Sequence, residues 1–250
     1  MTQEGLPFVN LYREQGVVLR TYKLGEADRI VVLMSQGEGK VRAVAKGVRK
    51  TRSRFGGRLE PFTHVDLSLY RGRELDIITQ AEVVNPFRGL REDYDRVVAG
   101  TAMLEAVDQV AQEREAAVRL FLLLVRALRA LDALAGDPAV LLDAFLLKLM
   151  ALEGYRPVLG ECASCGRDAD LRAFSTVRGG AQCANCRNGT ESLLDPGTVP
   201  LLAHLLGGDM EQVAAIRPRP SPRREAAGVV KSYVEYHLDR RLRSYPLVSR

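Results

Sequence analysis

The chain has 250 residues, with 36 Lys and Arg against 31 Asp and Glu and a formal net charge of +5, giving a sequence pI of about 9.1. An apolar fraction of 46% supports a sizeable core and argues against disorder, and the basic bias is consistent with a polyanionic partner. The strongest apolar run, Leu120 to Val125, is closed by Arg119 and Arg126 and is too short to span a bilayer; MTQEGLPFVN lacks the basic head and apolar run of a secretory signal, so the expectation is a cytoplasmic protein with reduced thiols and no membrane partner.

The first part, to about residue 85, reads as short strands. Gly16 to Tyr22 and Arg29 to Ser35 are β-branched runs separated by the turn-rich KLGEAD. Gln36 to Gly39 is a hairpin-length connection into Lys40 to Lys46. Thr63 to Tyr70 alternates, with Val65, Leu67 and Leu69 on one face, and Leu75 to Val84 follows the turn RGRE. Five short strands without a long helix predict a small closed or nearly closed barrel. Along Lys40 to Lys46 the side chains alternate faces, so Lys40, Arg42 and Lys46 form a cationic row opposite Val41, Ala43 and Ala45. That row is either the ordinary polar exterior of a strand or one wall of a binding groove.

The row leads into AKGVRKTRSRFGGRLEPF, residues 45–62. Lys46, Arg49, Lys50, Arg52, Arg54 and Arg58 fall within thirteen residues, and no acid appears before Glu60. Mutual repulsion disfavours the folded state, so a cluster this dense points to an anionic partner, against the plainer reading of a solvated basic loop. Arginine forks grip phosphate with paired hydrogen bonds, and Gly56 and Gly57 allow close backbone approach. Aromatics are sparse here: Tyr22, Tyr70 and Phe55 are the candidates for stacking on bases, and Phe55 alternatively serves as a core plug.

Residues 90–155 read as helical. Leu90 to Ala111 spaces Val97, Val98, Ala102, Leu104, Val107 and Val110 as one buried face, and Val118 to Leu134 is a leucine-rich stripe broken by Arg119, Arg126 and Arg129. The stripe belongs to the core or to a groove for an apolar peptide end. Gly136-Asp137-Pro138 reads as stop, N-cap and first-turn proline of a helix that runs to about Glu153 and stops at Gly154. Beyond Tyr155, Asp195-Pro196 and Ser221-Pro222 are read as opening two more helices, the second running to about Arg243. RPRPSPRR, residues 217–224, is read as an exposed linker between them. Arg240, Arg241 and Arg243 form a second basic patch, either a solvated helix end or a further DNA contact.

All four cysteines lie in one pattern, Cys162-Ala-Ser-Cys165 and Cys183-Ala-Asn-Cys186 separated by seventeen residues. Each knuckle turns two sulfurs to one point, and the intervening hairpin brings the knuckles together, the spacing of a tetrahedral four-thiolate zinc site. Gly166 eases the first turn, and Arg167 and Arg187 offset thiolate charge. A redox pair should open a helix in a βαβ unit, and none surrounds either CxxC. Four thiolates leave no position for water, so the expected metal is structural. No phosphate loop, dinucleotide motif or GxSxG is present, and His64, His204 and His237 lack acids at relay spacing. The expectation is a binding protein rather than an enzyme.

GEADRIVVLMSQGEGKVRAVAKGVRKTRSRFGGRLEPF, residues 25–62, resembles the N-terminal domain of the RecO family of bacterial DNA repair and recombination mediators, and the order of barrel, helices, four-cysteine element and C-terminal helices extends the resemblance along the chain. It implies an α+β multidomain protein: an OB-fold β-barrel over residues 1–85, an α-helical domain over 86–158 and 192–250, and an inserted zinc-ribbon-like module over 159–191. It also implies binding of single- and double-stranded DNA, annealing of complementary strands without nucleotide hydrolysis, and action with RecR, and in many pathways RecF, to help RecA replace single-strand-binding protein. The family contacts the acidic, apolar C-terminal tail of that protein through its helical domain, and the implied location is cytoplasmic and nucleoid-associated. The DNA-binding candidates here are Lys40, Arg42, Lys46, Arg49, Lys50, Arg52 and Arg54. Not every family member keeps the cysteines, so the zinc expectation rests on the spacing of Cys162, Cys165, Cys183 and Cys186. The alternatives are an RNA- or ribosome-associated barrel with a zinc ribbon, an adaptor for acidic protein tails, and, least favoured for want of a carboxylate or histidine cluster, a nuclease.

Overall fold

The computed structural model describes residues 10–133, 136–189 and 191–245. The opening segment MTQEGLPFV and Leu134, the expected end of the leucine-rich helix, lie outside them. The chain divides into two compact units: residues up to Phe87 with Ala111–Phe121, and Arg88–Val110 with everything from Leu122 onward. Among the described residues no helix is long and apolar enough to cross a membrane.

The first unit is built on five strands, β1 (Leu11–Leu24), β2 (Asp28–Ser35), β3 (Gly39–Ala45), β4 (His64–Tyr70) and β5 (Asp76–Asn85). They close into a barrel of order β1-β2-β3-β5-β4, an OB-like arrangement. The long β1 serves two partners: Leu11 to Val17 pair with β4, and Gly16 to Leu24 pair with β2 through a register shift between Val18 and Arg20. Such a bulge bends a strand, which is how one segment joins both walls. Closure comes from a short parallel contact of β3 with β5, Ala43 opposite Asp76 and Val44 opposite Ile77. Strand alternation fills the interior as expected, with Val41, Ala43 and Ala45 facing Val65, Leu67 and Leu69 in one core with Val31, Leu33 and Ile78.

Two residues of the long β3–β4 loop, Phe55 and Leu59, are also buried in that core. Phe55 is therefore the plug and not a stacking platform. The segment following Val110 returns to the barrel edge. Lys40 N–H donates to the Gln112 carbonyl at 3.0 Å and Arg114 N–H to the Lys40 carbonyl at 3.1 Å. Gly39 sits at φ 65° beneath this segment, and a Cβ there would meet the Glu115 carbonyl oxygen at 1.9 Å, so only glycine fits. Arg114 is anchored by Asp76, which accepts from Arg114 Nη2 at 2.9 Å and from the Tyr12 hydroxyl at 2.5 Å. Burial alone would raise the Asp76 carboxyl, but the Tyr12 hydroxyl, the Gly72 N–H and Arg114 outweigh it and hold it below the usual carboxylate value.

The second unit is mainly helical. The expected helix from Leu90 breaks into α1 (Arg88–Arg91) and α2 (Tyr94–Val110), because the Asp93 carboxylate accepts from Arg96 N–H at 2.9 Å and starts a new helix. It is followed by α3 (Val118–Asp132) and α4 (Pro138–Leu152). Asp137 caps α4 through Ala139 N–H, and Gly154 follows the helix at φ 91°, as the sequence predicts. α4 is buried on nearly every side and packs against α2 and the later helices α5 (Thr198–Gly207), α6 (Met210–Ala215) and α7 (Pro220–Leu238). Between α4 and α5 lies a two-stranded antiparallel hairpin, β6 (Leu171–Ser175) and β7 (Gly180–Cys183).

Three expectations are corrected here. Asp195-Pro196 does not open a helix; Asp195 accepts from Gly197 N–H at 2.8 Å in a preceding turn, and α5 starts at Thr198. α7 starts at Pro220 and stops at Leu238, because Asp239 adopts a left-handed conformation, so Arg240, Arg241 and Arg243 lie beyond the helix. RPRPSPRR is a linker only over residues 217–219, where Arg217 and Arg219 are exposed; the rest opens α7, with Pro222 buried and Arg223 reaching Asp143 at 2.6 Å and Asp137 at 3.3 Å. The buried Asp143 also accepts from the Tyr245 hydroxyl at 2.7 Å, which ties the C-terminal segment to α4.

If Phe55 is the plug of the barrel, Phe55→Ala should cost about 3–5 kcal/mol of unfolding free energy, as emptied aromatic sites do. Chemical denaturation followed by a signal from the barrel is the measurement.

Candidate nucleic-acid interface and metal centre

The basic loop follows directly from β3 and is held in one shape by its anchors. Besides the buried Phe55 and Leu59, Gly47 N–H donates to Asp28 Oδ1 at 2.7 Å, and Arg49 N–H to the Ala27 carbonyl at 2.9 Å. Arg49 Nη1 also donates to the Glu26 carbonyl at 2.9 Å, and Arg29 pairs with Glu60 at 2.7 Å. These bonds tie the loop to the β1–β2 turn, Gly25 to Ala27, and to the first two residues of β2. Arg49 is thus in part a positioning residue. Lys46, Lys50, Arg52 and Arg54 are exposed. Arg54 lies over the Phe55 ring at 4.8 Å, covering the plug from outside.

Lys40 and Arg42 sit elsewhere. Lys40 is the second residue of β3 and Lys46 follows its end, six residues or about 20 Å along a strand. On the outer face Lys40 pairs across with Met34 and Arg42 with Val32, both fully buried. Arg42 lies 3.7 Å from Glu113 of the returning segment. The structure therefore gathers Lys46, Arg49, Lys50, Arg52 and Arg54 in one loop, and places Arg42 at the middle of β3 and Lys40 near its far end. Tyr22, half-exposed beside Arg20 at 4.8 Å, lies near the loop end, whereas Tyr70 belongs to the other. Arg58 joins the loop group although the sequence reading did not single it out for binding; its Nη1 donates to the Arg54 carbonyl at 2.5 Å. Its place among the six clustered cations is the signal that marks it.

The four cysteines are free thiols whose sulfurs lie within 4.8 Å of one another, Cys165 and Cys183 at 3.9 Å. The knuckle turns follow the expected logic. Gly166 sits at φ 73° and donates to the Cys162 carbonyl at 2.9 Å, and Cys186 N–H donates to the Cys183 carbonyl at 3.1 Å. Between them β6 and β7 form the hairpin, and a Cβ on Gly180 would meet the Val158 carbonyl at 2.4 Å, so the preceding chain packs directly on the hairpin. Burial works against the Cys162 thiolate, but backbone N–H donors of Cys183, Ser164 and Cys165 outweigh it and draw the thiol to about 6. Hydrogen bonding with Cys165 and Cys183 pushes Cys186 up to about 12. A tetrahedron with metal–sulfur bonds of about 2.3 Å needs sulfurs about 3.8 Å apart, so this group suits a four-thiolate metal site. Among the described residues it is the only Cys, His, Asp and Glu group placed to hold an ion. Arg187 turns its guanidinium to the Glu191 carbonyl at 2.6 Å.

The histidines occupy separate settings. His64 is buried at the start of β4 with its ring 5.6 Å from Phe121, His204 is exposed on α5, and His237 packs among Tyr155, Tyr233 and Tyr236, where burial lowers its pKa.

The anchoring of the loop is directly testable. Asp28→Ala removes the acceptor for Gly47 N–H and should speed trypsin cleavage between Lys46 and Arg58 severalfold, at a cost near 1 kcal/mol. Unchanged cleavage would show that the apolar plug alone fixes the loop.

Two family models match the chain. The one described as recombination protein O N terminal covers residues 9–87, and the one described as recombination protein O C terminal covers residues 91–246. The first spans the barrel strands and the basic loop, and the second the helices and the cysteine hairpin. A DNA repair protein RecO from a Nocardioides species is 51% identical over 245 residues, covering 96% of this chain and all of the relative. DNA repair protein RecO of Thermobifida fusca is 47% identical and that of Streptomyces coelicolor 46%, each covering 97% of this chain and all of the relative. With both units matched in order and relatives of equal extent at about half identity, the chain belongs to the RecO family of DNA repair proteins.

Proposed function

We propose that this protein is a non-enzymatic recombination mediator that binds DNA through its barrel unit and anneals complementary strands. The observation that carries the reading is the anchored loop, which holds exposed cations in one place at the end of an OB-like barrel in a RecO family member. OB-type barrels bind strands through cationic grooves with few base contacts, so phosphate contact dominates and sequence preference is small. Annealing requires no bond chemistry: neutralising two strands lowers their repulsion and raises their local concentration. In the cell, the protein helps RecA replace single-strand-binding protein, acting with RecR and in some pathways RecF. The acidic tail of single-strand-binding protein engages the helical unit. Such partners place it in the cytoplasm at the nucleoid.

Cys162, Cys165, Cys183 and Cys186 hold a zinc ion that cross-links the hairpin. Four thiolates fill its coordination sphere, so it stabilises structure and supplies no reaction chemistry. The purified protein should contain about one zinc per chain. Chelation, or Cys165→Ser, should abolish amide protection over residues 160–190 while leaving the barrel strands protected in hydrogen exchange. Metal-free protein with four titratable thiols and an intact hairpin would refute the assignment.

For DNA, neutralising about five phosphates predicts a slope of log affinity against log salt near −3.5 for single strands. Lys50→Glu with Arg52→Glu should weaken all sequences about equally, avoiding the anchored Arg49. Annealing of complementary strands coated with single-strand-binding protein should proceed without nucleotide and fail with this variant. A flat salt response sinks the phosphate groove, and a strong preference for RNA of equal sequence favours the ribosome-associated alternative.

A further inference from the structure

The parallel register of β3 and β5 places Ile77 beside Val44, so residues 79–83 run past the end of β3, to the end of the barrel occupied by the basic loop. There the loop and β5 border an open cleft of about 490 Å³, lined by Arg54, Arg58, Thr79, Gln80, Glu82 and Val83 among others. That volume falls in the range of about 300–1,000 Å³ typical of small-ligand sites. One wall is cationic and the other carries a carboxylate, yet no carboxylate among the described residues forms an ion pair with either guanidinium. Arg54 covers the Phe55 ring, and Arg58 reaches back to the Arg54 carbonyl. Gly56 and Gly57, between the two arginines, have no atom within 4 Å of a side chain built on them, so this stretch is uncovered. On the far wall Thr79 is bound to the Ser68 carbonyl at 2.9 Å, whereas Glu82 and Val83 are exposed.

We propose that this cleft is a nucleotide subsite on the path of a bound single strand. A backbone phosphate lies between Arg54 and Arg58, the base lies over β5, and the Glu82 carboxylate accepts from an exocyclic amine on the base edge. Opposite charges held apart across a cleft suit a ligand that carries an anion at one end and a hydrogen-bond donor at the other, which a nucleotide does. The path then leaves the loop over β5 rather than along β3, where Lys40 and Arg42 are met by the protein's own chain. Cytosine, adenine and guanine carry an exocyclic amine and thymine does not; a carboxylate accepting from cytosine N4 is a known readout. The subsite rests on the DNA-binding reading above and adds a base preference to it.

The test compares oligo-dC with oligo-dT of equal length at neutral pH, two pyrimidines that differ at this edge. The full-length protein should bind oligo-dC about fivefold more tightly. Glu82→Ala should strengthen oligo-dT binding and bring the ratio close to one. Arg54→Gln with Arg58→Gln should weaken both strands and shrink the salt slope by about 0.7, the share of the one phosphate held between them. Should that double variant unfold through exposure of Phe55, the ratio in Glu82→Ala decides alone. A ratio near one in the unaltered protein, or one that survives Glu82→Ala, overturns the subsite while the steep salt slope keeps the DNA reading intact. Failure to bind either strand overturns both.

Discussion

A loop with six cations in thirteen residues keeps one shape here because an aromatic ring at its centre is buried under the barrel. Two like charges about 7 Å apart in water repel by roughly 0.6 kcal/mol, and physiological salt about halves that. A few neighbouring pairs therefore cost on the order of 1–2 kcal/mol. Burying Phe55 and Leu59 contributes about 1.5–3 kcal/mol each. The apolar term wins, and the hydrogen bonds that the loop donates to Asp28 and the β1–β2 turn set direction more than they add energy. A binding surface preorganised in this way loses little conformational entropy when a strand arrives.

The same plug explains why the cationic residues divide as they do. With Phe55 drawn inward, its neighbour Arg54 is forced across the outer side of the ring, and Arg58 follows it through Gly56 and Gly57. Along β3 itself the chain supplies the acids. Glu113 approaches Arg42, and the returning segment is fixed by the buried Asp76 through Arg114. Half-exposed as it is, the Arg42–Glu113 pair adds little stability. Its effect is electrostatic: a carboxylate 3.7 Å from the guanidinium offsets the charge that a phosphate would otherwise meet.

Much of this was legible in the residues, and the exceptions share a cause. Strand alternation in Lys40 to Lys46 and Thr63 to Tyr70 revealed which side chains fill the barrel, because period two is a local property. The cysteine spacing was equally local. Phe55 was ambiguous because its flanks, arginine and glycine, suit either a stacking platform or a turn into the core; only the path of the loop decides. Arg223 reads as linker until Asp143, eighty positions earlier, is brought beside it. The meeting of Arg42 with Glu113 likewise depends on a long-range return of the chain. The helix Met210–Ala215 was missed although Asp209 and Gln212 form a capping box, a signal present in the sequence as D-x-x-Q. Asp195-Pro196 misled because an Asp that bonds two residues ahead makes a turn as readily as a helix cap.

The cysteine hairpin shows how little of its stability can come from its own strands. β6 and β7 have five and four residues, and an isolated two-stranded hairpin is at best marginal in water. The apolar side chains it buries are small, Ala173 and Ala181 with the two cysteines Cys162 and Cys183. Its outside support includes Phe174 against Tyr233 of α7 at 5.4 Å, the close seat of Gly180 on Val158, and paired hydrogen bonds between Arg172 and Leu194 at 2.7 and 2.9 Å. Tyr233 is itself fixed by its hydroxyl on the Tyr155 carbonyl at 3.1 Å. The central helix α4 has a full apolar surround of its own and does not depend on this hairpin. A cross-link through the four sulfurs would therefore act locally, joining the two knuckles across the hairpin while adding nothing to the core around α4.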